Sequence, residues 1–229
     1  NLKSRFSYND FLISNDKKLI KEYLKNIGYY FSEVETIVVN LDNNLVKITH
    51  KIELGNKAKI KKISFIGDKI YKDNKLRALI ISEEYKFWKI ISGRKYLNEQ
   101  TIELDKRLLK NFYLNKGYYN VAINTSFAKL INEEDFELIF NIIPRNKIYF
   151  NKLSLNIPND FNLNNFEELN ELFDKLKGEP YSINKVNSIL DKIDKITLNE
   201  EYKSINANVD ETIVDNKLDL NFNIEEAER

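Results

Sequence analysis

Gly55-Asn-Lys-Ala-Lys-Ile-Lys-Lys-Ile-Ser-Phe-Ile66 returns 90 residues later as Arg145-Asn-Lys-Ile-Tyr-Phe-Asn-Lys-Leu-Ser-Leu-Asn156. The two stretches share asparagine, lysine and serine at matching positions. The same spacing carries Tyr23-Leu24 onto Tyr113-Leu114. A period of this length predicts one small folding unit used in tandem, so we expect function on the surfaces of a scaffold before a single pocket.

The middle copy predicts the order strand, helix, helix, strand, strand. Residues 60–66 are predicted to form a short strand that ends at the turn signal Gly67-Asp68. Residues 72–82 and 98–115 carry apolar residues at helical spacing, and Gly117 ends the second helix. Residues 118–128 and 136–142 then alternate apolar and polar, as in a hairpin. We therefore predict an α+β fold of tandem βααββ units, each a three-stranded mixed sheet covered on one face by two helices.

The other copies set the predicted domain boundaries. The last copy repeats the order, with a hairpin turn at Asp215-Asn216, whereas the first supplies only a helix ending at Gly28 and a hairpin over 30–54. We predict a partial unit at 1–57 and complete units at 58–146 and 147–229. The short joining segments are the expected hinges of an elongated array. They are Gly55, Asn56 and Lys57, and Pro144, Arg145 and Asn146.

Composition excludes several classes of protein. The chain has 229 residues, of which 42% are hydrophobic and 31% charged, a composition typical of folded domains. Lys+Arg 36 against Asp+Glu 35 argues against nucleic acid as the main partner, because such proteins usually carry a basic excess. The absence of Cys excludes disulfides and thiolate metal sites. No apolar run reaches membrane-spanning length, so we expect the chain as given to be soluble. It has no Met and begins inside a repeat, so we expect either a processed chain or, as we favour, a segment of a longer protein whose remaining sequence holds any membrane part.

No set of residues in the sequence predicts catalysis. His50 is the only histidine, and its alternating apolar neighbours predict a half-buried, hydrogen-bonded side chain. The chain has no phosphate-binding glycine loop and no recognisable nucleophile motif. We expect no cofactor, no metal and no enzymatic activity.

Two helices end in similar sequences, Tyr23-Leu-Lys-Asn-Ile-Gly-Tyr29 and Tyr113-Leu-Asn-Lys-Gly-Tyr118. Together with the order of elements in each unit, these helix ends resemble the POTRA (polypeptide transport-associated) family. The segment Phe87-Trp-Lys-Ile-Ile-Ser-Gly-Arg-Lys-Tyr96 is similar to the long inter-helix loop in the third POTRA domain of bacterial outer-membrane assembly factors. On this resemblance, residues 1–57 are the end of a second domain, 58–146 a third and 147–229 a fourth. The last copy departs from the pattern, with Asn199-Glu-Glu-Tyr202 in place of Gly-Tyr.

This resemblance implies binding at the periplasmic face of the outer membrane, beside a barrel outside this sequence. The partners it implies are unfolded outer-membrane β-barrel precursors, received by β-strand addition, and periplasmic accessory lipoproteins. Open sheet edges accept extended chains through unpaired backbone groups. The second strand of the middle copy, 118–128, is uncharged, which fits such an edge and equally fits a well-covered strand.

The binding residues that we predict follow from these patterns. The accepting edge comprises Tyr118, Tyr119, Asn120, Val121, Ala122, Ile123, Asn124, Thr125 and Ser126. Secondary contacts are Phe87, Trp88, Ser204, Ile205 and Asn206. Packing of Phe87 and Trp88 against the helices is the competing interpretation, and we favour it. The lysines between 57 and 62 are expected to form a solvated strand face.

Two alternatives remain open at this point. A POTRA array from a related translocation, assembly or two-partner secretion protein would keep the fold and change the pathway. A ferredoxin-like α+β enzyme or nucleic-acid module would instead require the order β-α-β-β-α-β. The two adjacent helices at 72–82 and 98–115 contradict that order.

Overall fold

A computed structural model of the chain describes residues 7–88, 92–130, 134–199 and 205–226. The first repeat contains α1 (Asp10–Asn26), β1 (Glu33–Leu41) and β2 (Leu45–Glu53). The middle repeat contains β3 (Lys59–Ile66), α2 (Asp73–Arg77), α3 (Glu99–Leu114), β4 (Ala122–Lys129) and β5 (Asp135–Ile143). The last repeat contains β6 (Tyr149–Asn156), α4 (Glu167–Leu176), α5 (Ile183–Asn199), β7 (Ile205–Val214) and β8 (Lys217–Glu226). None of the helices in these residues has the length and apolarity needed to cross a membrane.

The two complete repeats have the same sheet topology, which confirms the predicted fold class. Their strand orders are β3-β5-β4 and β6-β8-β7. In each sheet the first strand runs parallel to the third, which is central, and β7 pairs antiparallel with β8. The first repeat contributes the antiparallel hairpin β1–β2. The predicted turn at Asp215-Asn216 is confirmed, because both residues have positive φ and join the paired residues Val214 and Lys217.

The chain divides into two compact units that do not follow the repeats. One contains residues 1–108 and 123–141, and the other contains 109–122 and 142–229. The end of α3 and the segment that follows it therefore belong to the same compact unit as the last repeat. Leu114 and Tyr119 of this segment pack against the core of the last repeat, which α4, α5, β6 and β8 enclose. The predicted domain boundaries stay predictions.

The first helix of the middle repeat is shorter than predicted, ending at Arg77 and not at residue 82. After it the backbone turns toward other parts of its compact unit. The N–H of Ile81 donates to Asp105 Oδ1 at 2.6 Å, and the N–H of Tyr85 donates to Ile60 O at 2.6 Å. These N–H groups are thus satisfied by acceptors far away in the chain and not by carbonyls of a continuing helix.

Asp105 is a fully buried carboxylate that holds this non-helical segment in place. Besides Ile81, it accepts a hydrogen bond from the Ser82 N–H at 3.2 Å. Burial raises the pKa of Asp105 above its ordinary value, because an apolar surrounding disfavours the charged form, while the hydrogen bonds from Ser82 and Ile81 act in the opposite direction. Removing the acceptor would leave two backbone donors unpaired.

Asp105 is expected to make stability depend on pH in the acid range. Between its unfolded pKa of about 3.9 and its raised folded value, the native state binds more protons than the unfolded state, so stability falls as pH rises through that window. Asp105→Asn retains an acceptor and removes the titration. Urea unfolding should therefore show the advantage of wild type over Asp105→Asn shrinking from about pH 4 to pH 7. A constant difference would contradict the raised pKa.

The turn after α3 requires a glycine at position 117. Gly117 has φ of +95°, in the left-handed region that side chains rarely adopt. A Cβ built there would lie 3.2 Å from Pro180 Cβ and 3.4 Å from Ile148 O. Both backbone conformation and close packing therefore exclude a side chain.

Three alanine variants separate these two effects. Gly117→Ala should destabilise the protein most, Gly178→Ala should cost about 1–2 kcal/mol for left-handed strain alone, and Gly93→Ala should be near neutral. Gly178 has φ of +84° with open space around it, and Gly93 has neither positive φ nor a close neighbour. Thermal unfolding of the three variants measures the order. Equal melting temperatures for Gly117→Ala and Gly93→Ala would show that the turn tolerates a side chain.

Candidate functional site

The outer edge of β3 is covered by the loop between α2 and α3. The N–H of Tyr85 donates to Ile60 O, and that of Leu97 donates to Ala58 O at 2.9 Å. Side chains complete the cover further along the strand. Glu84 accepts from the Ile63 N–H at 3.0 Å, and Arg77 donates to Ile63 O at 2.7 Å. These groups are therefore unavailable to a guest strand.

The outer edge of β6 is covered in the same way by residues 178–181. Gly178 N–H donates to Phe150 O at 2.7 Å, and Phe150 N–H donates to Glu179 O at 2.9 Å. Tyr181 N–H donates to Ile148 O at 2.9 Å. The covering segment of each repeat contains a glycine followed three residues later by a tyrosine. These are Gly93 and Tyr96 in the middle repeat and Gly178 and Tyr181 in the last, so the sequence itself carries this signal.

β4 forms the other edge of its sheet and is left uncovered. Within the described part of the chain, the backbone of residues 122–128 makes no hydrogen bond outside its own sheet. Asn124 and Ser126 are exposed, whereas Ile123, Thr125 and Phe127 are half-buried, as expected for a strand with one covered face. The stretch is uncharged until Lys129.

The predicted accepting edge is wrong in its first four residues. β4 begins at Ala122, whereas Tyr118, Tyr119, Asn120 and Val121 form the turn that follows α3. The N–H of Tyr118 donates to Tyr113 O at 3.1 Å and that of Val121 to Tyr118 O at 3.2 Å. The alternation of apolar residues had suggested that these N–H groups belong to a strand and are free. They are instead hydrogen-bonded within the turn that ends α3. Ala122 to Ser126 keep their place on the strand, and their binding role stays a prediction.

The edge strand of the last sheet, β7, differs from β4 in charge. It carries Asp210 and Glu211, and Asp210 accepts a hydrogen bond from Asn223 at 2.7 Å. Glu211 accepts a hydrogen bond from the Tyr119 hydroxyl, which raises the pKa of Tyr119 to about 12. Of the predicted secondary contacts here, Ile205 and Asn206 lie on β7, and Ser204 lies outside the described residues.

The face of the middle sheet opposite its core is a ladder of opposite charges. Lys59 Nζ lies 2.7 Å from Glu134, and Lys62 Nζ lies 2.9 Å from Glu137. A hydrogen bond from Ser64, and then the bond from Lys62, hold the pKa of Glu137 below its ordinary value. The lysine-rich strand is thus neutralised across the sheet, and the prediction of a simply solvated lysine face was incomplete.

The favoured interpretation of Phe87 and Trp88 as loop packing is wrong. Phe87 is 78% exposed and Trp88 62% exposed. Their rings meet edge to face at 4.7 Å, and Lys86 Nζ lies 5.7 Å from the centre of the Trp88 ring. The two aromatic side chains pack on each other and leave an apolar surface open, as the predicted secondary contact requires.

Trp88→Ala is expected to leave stability nearly unchanged, because the side chain is mostly exposed. The free energy of unfolding should change by less than about 0.5 kcal/mol. Phe65→Ala is the contrasting variant. Phe65 is buried and stacks on Phe140, so its truncation should cost about 3–5 kcal/mol. Chemical denaturation of both variants tests this, and a large loss for Trp88→Ala would mean that the ring packs on the fold.

The two joints between repeats are built alike. The carbonyl of Gly28 accepts from the Ala58 N–H at 3.1 Å, and the carbonyl of Gly117 accepts from the Ile148 N–H at 2.8 Å. Each bond links the end of one repeat's helix to the start of the next repeat's first strand. Each joint lies within one compact unit.

At each joint a lysine covers the tyrosine that follows the glycine: Lys57 ends the first joining segment, and Lys147 directly follows the second. Lys57 Nζ lies 5.3 Å from the centre of the Tyr29 ring, and Lys147 Nζ lies 5.4 Å from that of Tyr118. Such cation–π contacts add to the backbone bond.

The predicted hinge residues lie beside these contacts. Gly55 and Arg145 have positive φ, Pro144 is buried, and Asn56 and Asn146 are exposed. Bending at these residues stays a prediction.

The prediction that His50 has a half-buried, hydrogen-bonded side chain is confirmed. It is half-buried, and its Nδ1 lies 2.9 Å from Thr36 Oγ1. Among the described residues, no group of three or more His, Cys, Asp and Glu side chains could hold a metal ion.

A family model described as POTRA, surface antigen variable number repeat, matches residues 1–55 and 58–145. The chain belongs to the POTRA family. It is 25% identical over 254 residues to the outer membrane protein assembly factor BamA of Buchnera aphidicola, covering 100% of this chain and 37% of that protein. It is 27% identical over 175 residues to BamA of Neisseria meningitidis, covering 76% of this chain and 22% of that protein. The chain thus spans little more than a third, or less, of these relatives.

Solved structures share the fold. The crystal structure of Haemophilus influenzae BamA POTRA3-5 aligns with a TM-score of 0.60 and 14% identity, over 99% of this chain and 84% of that one. BamA from Haemophilus ducreyi lacking POTRA domains 1-3 aligns with a TM-score of 0.50 and 20% identity, over 64% of this chain and 25% of that one. The repeats described above are therefore POTRA domains similar to those of BamA.

Proposed function

We propose that this POTRA array belongs to the periplasmic arm of an outer-membrane protein assembly factor and receives unfolded β-barrel precursors by strand addition to β4. The named relatives, both outer membrane protein assembly factors, support the pathway. The observation that carries the mechanism is the asymmetry of the sheet, in which β3 is covered and β4 is not. An extended guest chain would pair with the free backbone groups of β4.

β4 is a better acceptor than β7 on grounds of charge. A guest strand pairs closely with its neighbour, so a charged edge disfavours apolar or like-charged guests and normally guards against pairing. β4 has no charge from Ala122 to Ala128, whereas β7 carries Asp210 and Glu211. The carboxylate of Glu211 also already accepts a hydrogen bond from the Tyr119 hydroxyl.

The exposed pair Phe87 and Trp88 is the proposed contact for a periplasmic accessory lipoprotein. Clustered aromatic side chains are common anchors in protein interfaces. The pair belongs to the inter-helix loop and not to β4, so an accessory partner and a guest strand would use different surfaces of the repeat.

The direction of the β4 N–H groups defines a sharp test. Leu130 N–H donates to Asp135 O at 2.8 Å, inside the hairpin. N–H groups alternate along a strand, so those of Asn124 and Ser126 are expected to point to β5 and those of Ile123 and Thr125 to point outward. Proline can replace an edge residue whose N–H faces solvent.

Thr125→Pro should keep the fold and reduce binding of an extended peptide with alternating apolar and polar residues by about tenfold or more, through loss of one guest-facing donor. Asn124→Pro should instead destabilise the fold by about 1–3 kcal/mol, because it leaves a partner on β5 unpaired. Thr125→Val keeps the backbone N–H and should bind normally. Peptide titration by NMR, with thermal unfolding of each variant, separates these outcomes.

The same titration can reject the mechanism. Peptide-induced shifts confined to the amides near Phe87 and Trp88, with those of residues 122–128 unchanged, would contradict strand addition. Equal binding by Thr125→Pro and Thr125→Val would do the same. Neither result would alter the POTRA fold.

A further inference from the structure

A cavity of about 520 Å³ lies at the first joint, within one compact unit. Its wall includes the end of α1 at Asn26 and Gly28, the joining residue Lys57, and Gly93 and Arg94 of the inter-helix loop. Lysine and arginine are its only charged lining residues, and none of the lining residues is acidic. The cavity therefore presents positive charge with no carboxylate in its wall.

Lys57 is held in place by aromatic rings and not by an acid. Its Nζ lies 5.3 Å from the centre of the Tyr29 ring and 5.4 Å from that of Tyr96. In the described part of the chain, no carboxylate lies within 4.0 Å of it. An ammonium fixed between two rings keeps its three donors for another partner.

Arg94 adds a second cation with unused donors. Its Nη1 lies 3.7 Å from Glu83 Oε1, beyond a good hydrogen bond, and its side chain is 63% exposed. A guanidinium has five N–H donors in a planar fork that matches oxyanions. The Gly93–Lys95 turn carries Arg94 into the wall of the cavity.

The Oδ1 of Asn26 is buried and has no hydrogen-bond partner among the described residues. It is not accessible to solvent, so a group in the cavity does not reach it. A group that fits this site must therefore accept hydrogen bonds from the two cations, as the oxygens of an anion do.

The second joint differs from the first in how its matching amide oxygen is bonded. There Asn115 Oδ1, at the position matching Asn26, accepts from Ser182 Oγ at 2.7 Å and from the Asn184 N–H at 2.9 Å. Pro180 packs close to Gly117, within 3.2 Å of where its Cβ would be. Protein groups thus satisfy this amide oxygen at the second joint, whereas the matching oxygen of Asn26 at the first joint has no partner among the described residues.

We propose that the cavity at the first joint binds a phosphate group. The phosphate oxygens accept hydrogen bonds from Lys57 and Arg94. The bound group links the end of the first repeat, the joining segment and the middle repeat. This proposal is independent of strand addition at β4.

NMR titration of the 229-residue chain with sodium phosphate, at ionic strength matched with sodium chloride, tests the proposal. Saturable shifts are expected for the amides of Gly28, Gly93 and Arg94. Lys57→Met and Arg94→Met should each weaken binding by about tenfold, through loss of a charged donor. Lys57→Met keeps the aliphatic stem that packs near Gly28, and thermal unfolding verifies that both variants fold.

Lys147→Met is the matched control, since Lys147 covers Tyr118 at the second joint as Lys57 covers Tyr29 at the first. It should leave phosphate affinity unchanged. Identical shifts with phosphate and chloride, or equal weakening by Lys147→Met and Lys57→Met, would overturn the proposal.

Further titrations identify the source of the phosphate. Glycerophosphoethanolamine shifting the same amides would assign a lipid headgroup, and inorganic phosphate alone doing so would assign the free ion. Asn26→Asp should abolish binding of both through charge repulsion.

Discussion

The parallel pairing of the first and third strands of each repeat is the constraint on which the rest of the structure depends. Parallel neighbours need a long crossover, and here two helices and the strand of a hairpin supply it. The third strand, β5 or β8, becomes central, and the second strand is forced to the edge. The segment between the helices returns to the start of the first strand and satisfies its outer backbone groups. One edge is therefore closed by the connection itself and the other is left open.

This asymmetry is the basis of the proposed binding at a sheet edge. An edge with unpaired N–H and C=O groups can pair with an extended chain through its backbone, so the identity of the guest's side chains matters little. The two open edges are not equivalent, because β7 carries Asp210 and Glu211 while Ala122 to Ala128 carry no charge. The two repeats thus share one topology while their edge strands differ in charge.

The two joints between repeats are built on the same turn and the same backbone hydrogen bond. At both, a left-handed glycine turns the chain after a helix and offers its carbonyl to the next repeat. The second joint is completed by Ser182, Asn184 and Pro180, and the first has a cavity with two cations and an unpaired amide oxygen. A difference of a few side chains in the inter-helix segment separates a joint closed by protein groups from the joint at which we propose a phosphate site.

The sequence by itself determined the repeat, the βααββ order, the POTRA family and the turns at Gly117 and Asp215-Asn216. These features are local or periodic, and glycine, asparagine and alternating apolar residues report them directly. Only the tertiary structure decided that α2 stops at Arg77, that Tyr118 to Val121 form a turn and not a strand, and that Phe87 and Trp88 lie open. It also decided which edges are covered. In each case, the outcome depends on hydrogen bonds or packing between residues far apart in the chain, such as Ile81 with Asp105 or Tyr85 with Ile60. No local pattern encodes these partners, because a backbone N–H can donate either to a carbonyl in its own helix or to a distant acceptor.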